Sequence, residues 1–100
     1  MIKKINNLNI HYIDYGKEEK GVLVFLHGWG QNIAMMRPLA DKFSKEYRII
    51  ILDLPGFGES EIPDRVLTLQ DYVSIIHTLL KEEKVKNPIL IGHSFGGKLT

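Results

Sequence analysis

The residues with the most chemical potential in the 100-residue chain are Gly92-His93-Ser94-Phe95-Gly96-Gly97. They follow the apolar run Ile89-Leu90-Ile91 and fit G-x-S-x-G, a pattern that holds a serine on a sharp strand-to-helix turn. Side chains at Gly92 or Gly96 would clash in such a turn, and the serine backbone is strained. The turn lifts the hydroxyl toward a substrate. Ser94 would also stand at a helix start, where backbone N–H groups favour developing negative charge. The chemistry implied is nucleophilic attack on an acyl carbon. A glycine-rich turn whose serine merely caps a helix has the same composition, but here a strand precedes it and a helix is expected to follow.

A second motif, His27-Gly28-Trp29-Gly30, follows another apolar run, Gly21 to His27. Proteins built on a G-x-S-x-G turn take one oxyanion donor from the residue after the nucleophile and one from a loop of this kind. The backbone N–H groups of Phe95 and Trp29 are the candidates. Losing one such donor typically costs about 2.7–4 kcal/mol of transition-state stabilisation. Gly28 would let the backbone approach closely, and His27 would anchor the loop. In the third motif, Asp53-Leu54-Pro55-Gly56-Phe57-Gly58-Glu59-Ser60, Asp53 reads as a loop-ordering residue rather than a catalytic acid.

A serine needs a base, and the four histidines do not supply one. His27 belongs to the loop just described. His93 adjoins Ser94 and should point away from its hydroxyl, while His11 and His77 read as structural or exposed. Where the order along the chain is Ser, then Asp or Glu, then His, both partners lie after the nucleophile. Only six residues follow Ser94, and they include neither. The chain is therefore expected to be the N-terminal part, 1–100, of a longer single domain.

Several elements must hold these groups. Ile2 to Ile5 and Ile10 to Tyr15 read as a hairpin around Asn6-Asn7. Gly21 to His27 is a continuous apolar run, and Arg48 to Asp53 and Ile89 to Ile91 are further buried-type strands, of the kind covered on both faces in parallel sheets. Met36, Leu39, Ala40, Phe43 and Tyr47 fall at helical spacing, with Pro38 expected in the first turn. Thr68 to Asp71 resembles a capped helix start, and Leu69, Tyr72, Val73, Ile76, Leu79 and Leu80 continue a stripe to about Val85. Strands alternating with helices predict an α/β fold: a mostly parallel sheet flanked by helices, with an antiparallel N-terminal hairpin.

Composition agrees. Hydrophobic residues make up 44% and charged residues 25%, as in ordinary globular proteins. A net charge of +1 gives no electrostatic reason for nucleic acid or an anionic membrane surface. Cysteine is absent, which excludes disulfides and thiolate metal sites. No signal-peptide core or membrane-length apolar run is seen, so a cytoplasmic location is the default. The composition carries no mark of oligomeric state.

The three motifs, in this order and spacing, closely resemble the α/β-hydrolase superfamily over essentially the whole chain. His27-Gly28-Trp29-Gly30 with Asn32, followed by Asp53 to Gly58 and Ser60, looks most like the carboxylesterases, including the biotin-pathway esterases of pimeloyl-carrier-protein methyl ester. Met36 departs from relatives that carry Trp there. The resemblance implies hydrolysis of a small-molecule ester or related acyl bond through an acyl-enzyme on Ser94, without metal or organic cofactor. A serine nucleophile sets the chain apart from dehalogenases, which use Asp at that position. Two other readings are open. The chain could be a non-catalytic relative that keeps the scaffold as a binding module. Gly92 to Lys98 also fits the phosphate-binding G-x-x-x-x-G-K, although Leu99 stands where that motif needs Ser or Thr.

Overall fold

Asn6 and Asn7 both adopt left-handed backbone, with φ 48° and 66°. A two-residue turn therefore joins β1 (Ile2–Ile5) to β2 (Leu8–Gly16), with Ile5 opposite Leu8. Positive φ at both central positions is the turn whose twist matches paired strands, and Asn is among the residues that tolerate it. The computed structural model describes residues 1–99. In it β2 starts two residues before the strand expected from Ile10.

β3 (Gly21–Leu26) and β4 (Tyr47–Leu52) pair in parallel, with Gly21 opposite Tyr47 and Leu26 opposite Leu52. β5 (Ile89–Gly92) runs parallel to β3 on its other side, and β2 joins β4 antiparallel. The sheet order is β1-β2-β4-β3-β5. Three parallel strands carry an antiparallel hairpin at one edge, as the pattern predicts.

Successive side chains of a strand face opposite ways, and here both faces are covered. Val22, Val24, Leu26, Ile50 and Leu52 pack with Ile75, Ile76, Leu79 and Leu80 of α2 (Leu69–Glu82) and with Leu99 of α3 (Phe95–Leu99). Leu23, Phe25, Ile49 and Ile51 pack with Ile33, Met36 and Ala40 of α1 (Ile33–Asp41). Burying each such side chain contributes about 1.5–3 kcal/mol.

Helix limits differ from expectation in instructive ways. α1 begins at Ile33, so Pro38 is its sixth residue and not in its first turn. Leu39 and Phe43 are largely exposed, α1 ends before Phe43, and Tyr47 opens β4. The buried stripe is Ile33, Met36 and Ala40. In α2 the buried stripe is Tyr72, Ile75, Ile76, Leu79 and Leu80, while Leu69 and Val73 are exposed. The capping box at Thr68 and Asp71 is present. α2 stops at Glu82 because Lys84 turns left-handed (φ 58°), and the Val85 N–H then donates to the Leu80 carbonyl (2.9 Å) and the Lys84 N–H to that of Lys81 (3.1 Å). The run Ile89 to Ile91 is not covered on both faces. Among the described residues β5 is an edge strand, with Ile89 half exposed.

Candidate active site

β3 and β5 lie side by side, so the segments leaving their C-terminal ends meet. After β3 come His27, Gly28 and Trp29; after β5 come His93, Ser94 and Phe95. The Trp29 and Phe95 rings stand edge to face, with centroids 5.2 Å apart. Ser94 sits in left-handed backbone (φ 57°) and is exposed. Its hydroxyl makes no hydrogen bond among the described residues, and neither do the backbone N–H groups of Trp29 and Phe95.

Two glycines make that turn possible. A Cβ on Gly96 would lie 2.0 Å from the Leu26 carbonyl oxygen, and one on Gly92 would lie 2.4 Å from the Gly96 oxygen. Both obstacles are backbone and cannot swing aside. Gly97 differs: a Cβ there would first meet another atom at 3.8 Å, an ordinary contact.

His27 is fully buried at the root of the first loop. Its Nε2 accepts the Leu54 N–H (2.9 Å), so Nδ1 carries the proton and donates to the Gly28 carbonyl (2.8 Å). Burial pushes the imidazole below its usual pKa, outweighing the Gly28 hydrogen bond and the field of Asp53. Gln31, which sequence reasoning missed, ties the two loops together. Its Oε1 accepts from the Gly28 N–H (2.8 Å) and from Nδ1 of His93 (3.1 Å). A side chain at Gly28 would press on both Gln31 and His93. The His93 ring is thus engaged with Gln31.

Asp53 is buried and fully employed. Oδ1 accepts the Ile33 N–H (2.8 Å), while Oδ2 accepts the Glu59 N–H (2.9 Å) and bonds Nδ1 of His11 (2.8 Å). It therefore takes up the first N–H of α1 from across the sheet end, although Asn32 holds the N-cap position and offers no side-chain cap. Ser60 closes the loop by accepting from the His11 N–H and donating to the Asp53 carbonyl. His77 is exposed. No histidine of the described residues meets Ser94, and no group of three or more ligating side chains there could hold a metal ion.

A cleft of about 470 Å³ reaches Phe95, the residue after Ser94, and is lined by Trp29, Phe57, Ile62, Val66 and Leu69 among others. Phe57 stands edge to face with both Trp29 (4.8 Å) and His27 (5.7 Å), and Phe95 does the same with Tyr72 (5.2 Å). One string of rings thus joins the two loops, the Asp53 segment and α2.

A family defined as the alpha/beta hydrolase fold matches residues 21–100. The chain belongs to this family. It is 41% identical over 92 residues to the pimeloyl-[acyl-carrier protein] methyl ester esterase of Shewanella woodyi, covering 92% of this chain and 32% of that protein. It is 32% identical over 101 residues to epoxide hydrolase 3 of Xenopus tropicalis, covering 96% of this chain and 27% of the other. The crystal structure of an epoxide hydrolase from Vigna radiata superposes with a TM-score of 0.90 at 25% identity, covering 99% of this chain and 32% of that one. The chain thus spans about a third of the length of the proteins it matches. Gly92 to Lys98 lies inside the family match, within a hydrolase scaffold. Among the described residues no helix is long and apolar enough to cross a membrane.

Proposed function

We propose that the protein is a serine hydrolase that cleaves a carboxylic ester or related acyl bond through an acyl-enzyme on Ser94. The observation that carries this is the exposed Ser94 in left-handed backbone at the β5–α3 turn, beside a Trp29 loop with an uncommitted N–H. Ser94 Oγ attacks the acyl carbon, and the Trp29 and Phe95 amides receive the oxyanion. The alcohol departs, and water then attacks the acyl-serine to release the acid and restore the hydroxyl. Among the described residues no histidine is paired with Ser94: His27 bonds Leu54 and Gly28, His11 bonds Asp53, His93 bonds Gln31, and His77 is exposed. His27, Gly28 and Gln31 hold the oxyanion loop, and Gly92 and Gly96 permit the turn, whereas Gly97 has room for a side chain.

The test is to feed p-nitrophenyl butyrate to the gene product isolated from its source, quench early and digest. A butyryl group on the Ser94 peptide, with turnover abolished in Ser94→Ala, is the expected result. Turnover that survives Ser94→Ala would overturn the proposal.

A further inference from the structure

Residues Gly28 to Gln31 form a tight turn. The Gln31 N–H donates to the Gly28 carbonyl (3.1 Å), and Gly30 has φ 77°, the conformation a type II turn requires at that position. The Gly28 carbonyl also accepts Nδ1–H of His27 (2.8 Å). That carbonyl belongs to the same planar peptide as the Trp29 N–H, and in a trans peptide the two point in opposite directions. The donors on the oxygen therefore govern where the Trp29 N–H points. On the other side of Gly28, its own N–H is held by Oε1 of Gln31 (2.8 Å). Gln31 thus grips Gly28 at both ends, once with its backbone and once with its side chain. The same Oε1 accepts Nδ1–H of His93 (3.1 Å), the neighbour of Ser94. The His93 N–H in turn donates to the Leu26 carbonyl (3.1 Å), which ties that residue to the end of β3. The fit is close: a Cβ on Gly28 would lie 2.9 Å from Gln31 Oε1 and 3.2 Å from His93 Nδ1.

We infer that Gln31 is a positioning residue: its side-chain oxygen, shared between Gly28 and His93, sets the direction of the Trp29 N–H relative to that of Phe95. Calling both amides oxyanion donors rests on the function proposed above, whereas the direction of the Trp29 N–H does not. An oxyanion donor works only when aimed at the place where charge develops, and a misplacement of about 1 Å can cost about 10²-fold in rate. Without Oε1, the Gly28 N–H loses its partner, and the turn can swing about Gly28 while its internal hydrogen bond persists. His27, buried below, holds only the carbonyl end. Gln31 acts through Gly28 and His93 rather than on substrate, so its effect falls on the transition state and not on ground-state binding.

The test compares Gln31→Met, which matches the length of the side chain and lacks its oxygen, with Gln31→Glu, which keeps an acceptor for both donors. In the isotopically labelled gene product, the residual dipolar coupling of the Trp29 amide reads the direction of that N–H. The amides of Val24 and Phe25 in β3 serve as the fixed reference. Gln31→Met should move the Trp29 coupling and leave those of β3 in place, while Gln31→Glu should keep the wild-type direction. Turnover of p-nitrophenyl butyrate is then counted per Ser94 titrated to completion with a fluorophosphonate. In Gln31→Met it should fall about 10–100-fold while KM stays within about twofold, because formation and hydrolysis of the acyl-enzyme use the same donors. An unmoved Trp29 coupling in Gln31→Met overturns the inference, as does a moved coupling with turnover unchanged or with KM alone altered. A coupling that moves as far in Gln31→Glu as in Gln31→Met also overturns it, since the oxygen would then not be the cause. Wild-type protein without turnover at Ser94 would instead end the proposed reaction, and the Trp29 coupling would still decide whether Gln31 aims that N–H.

Discussion

Ser94 holds a backbone conformation (φ 57°) that costs a side-chain-bearing residue about 1–3 kcal/mol, and the strain falls on the proposed nucleophile. Ser94→Gly should therefore raise stability by up to about 1 kcal/mol in urea denaturation while removing the reacting group; a loss of stability would mean the turn is unstrained. His27 makes a second prediction. The unfolded imidazole takes up a proton near pH 6.5, whereas the buried ring, its pKa lowered by burial, resists protonation. The unfolded chain thus binds more protons in that window. Stability should fall as pH drops below about 6.5, and His27→Gln should flatten that slope on the acid side of pH 6.5. An unchanged slope would show that another group titrates.

At the scale of elements, the β5–α3 turn depends on which glycine is crowded. Gly96→Ala drives a methyl against the Leu26 carbonyl and should cost about 1–3 kcal/mol or more. Gly97→Ala meets ordinary contacts inside α3 and should be neutral or stabilising by up to about 1 kcal/mol. Equal effects in thermal melts would contradict the crowding. The glycine-marked turn, the two-faced strands β3 and β4 and the Thr68 cap were legible because each depends on residues adjacent in the chain. The limits of α1 were not. Leu39 and Phe43 keep helical spacing but face water, and the first N–H of α1 is satisfied by Asp53, twenty residues away. Gln31 escaped notice because its role depends on where its side chain reaches. The cleft wall from Ile62 to Leu69 has no period to betray it.

Across the whole molecule, the two sheet edges differ. β1 presents Lys3 and Lys4, which discourage pairing with other chains, while β5 ends the other edge with Ile89 half exposed. The 100-residue chain should self-associate with rising concentration in sedimentation, and Ile89→Lys should reduce that association. Identical behaviour of the two would place the association elsewhere.

The central claim, that Ser94 is the nucleophile of a hydrolase, is tested most directly by treating lysate from the natural source with a fluorophosphonate probe. Intact mass and the labelled peptide are then read for the product of this gene. The predicted result is a phosphonyl adduct on Ser94, carried by a protein larger than the 11.5 kDa of this chain. An 11.5 kDa product left unlabelled, or a label on another residue, would contradict it.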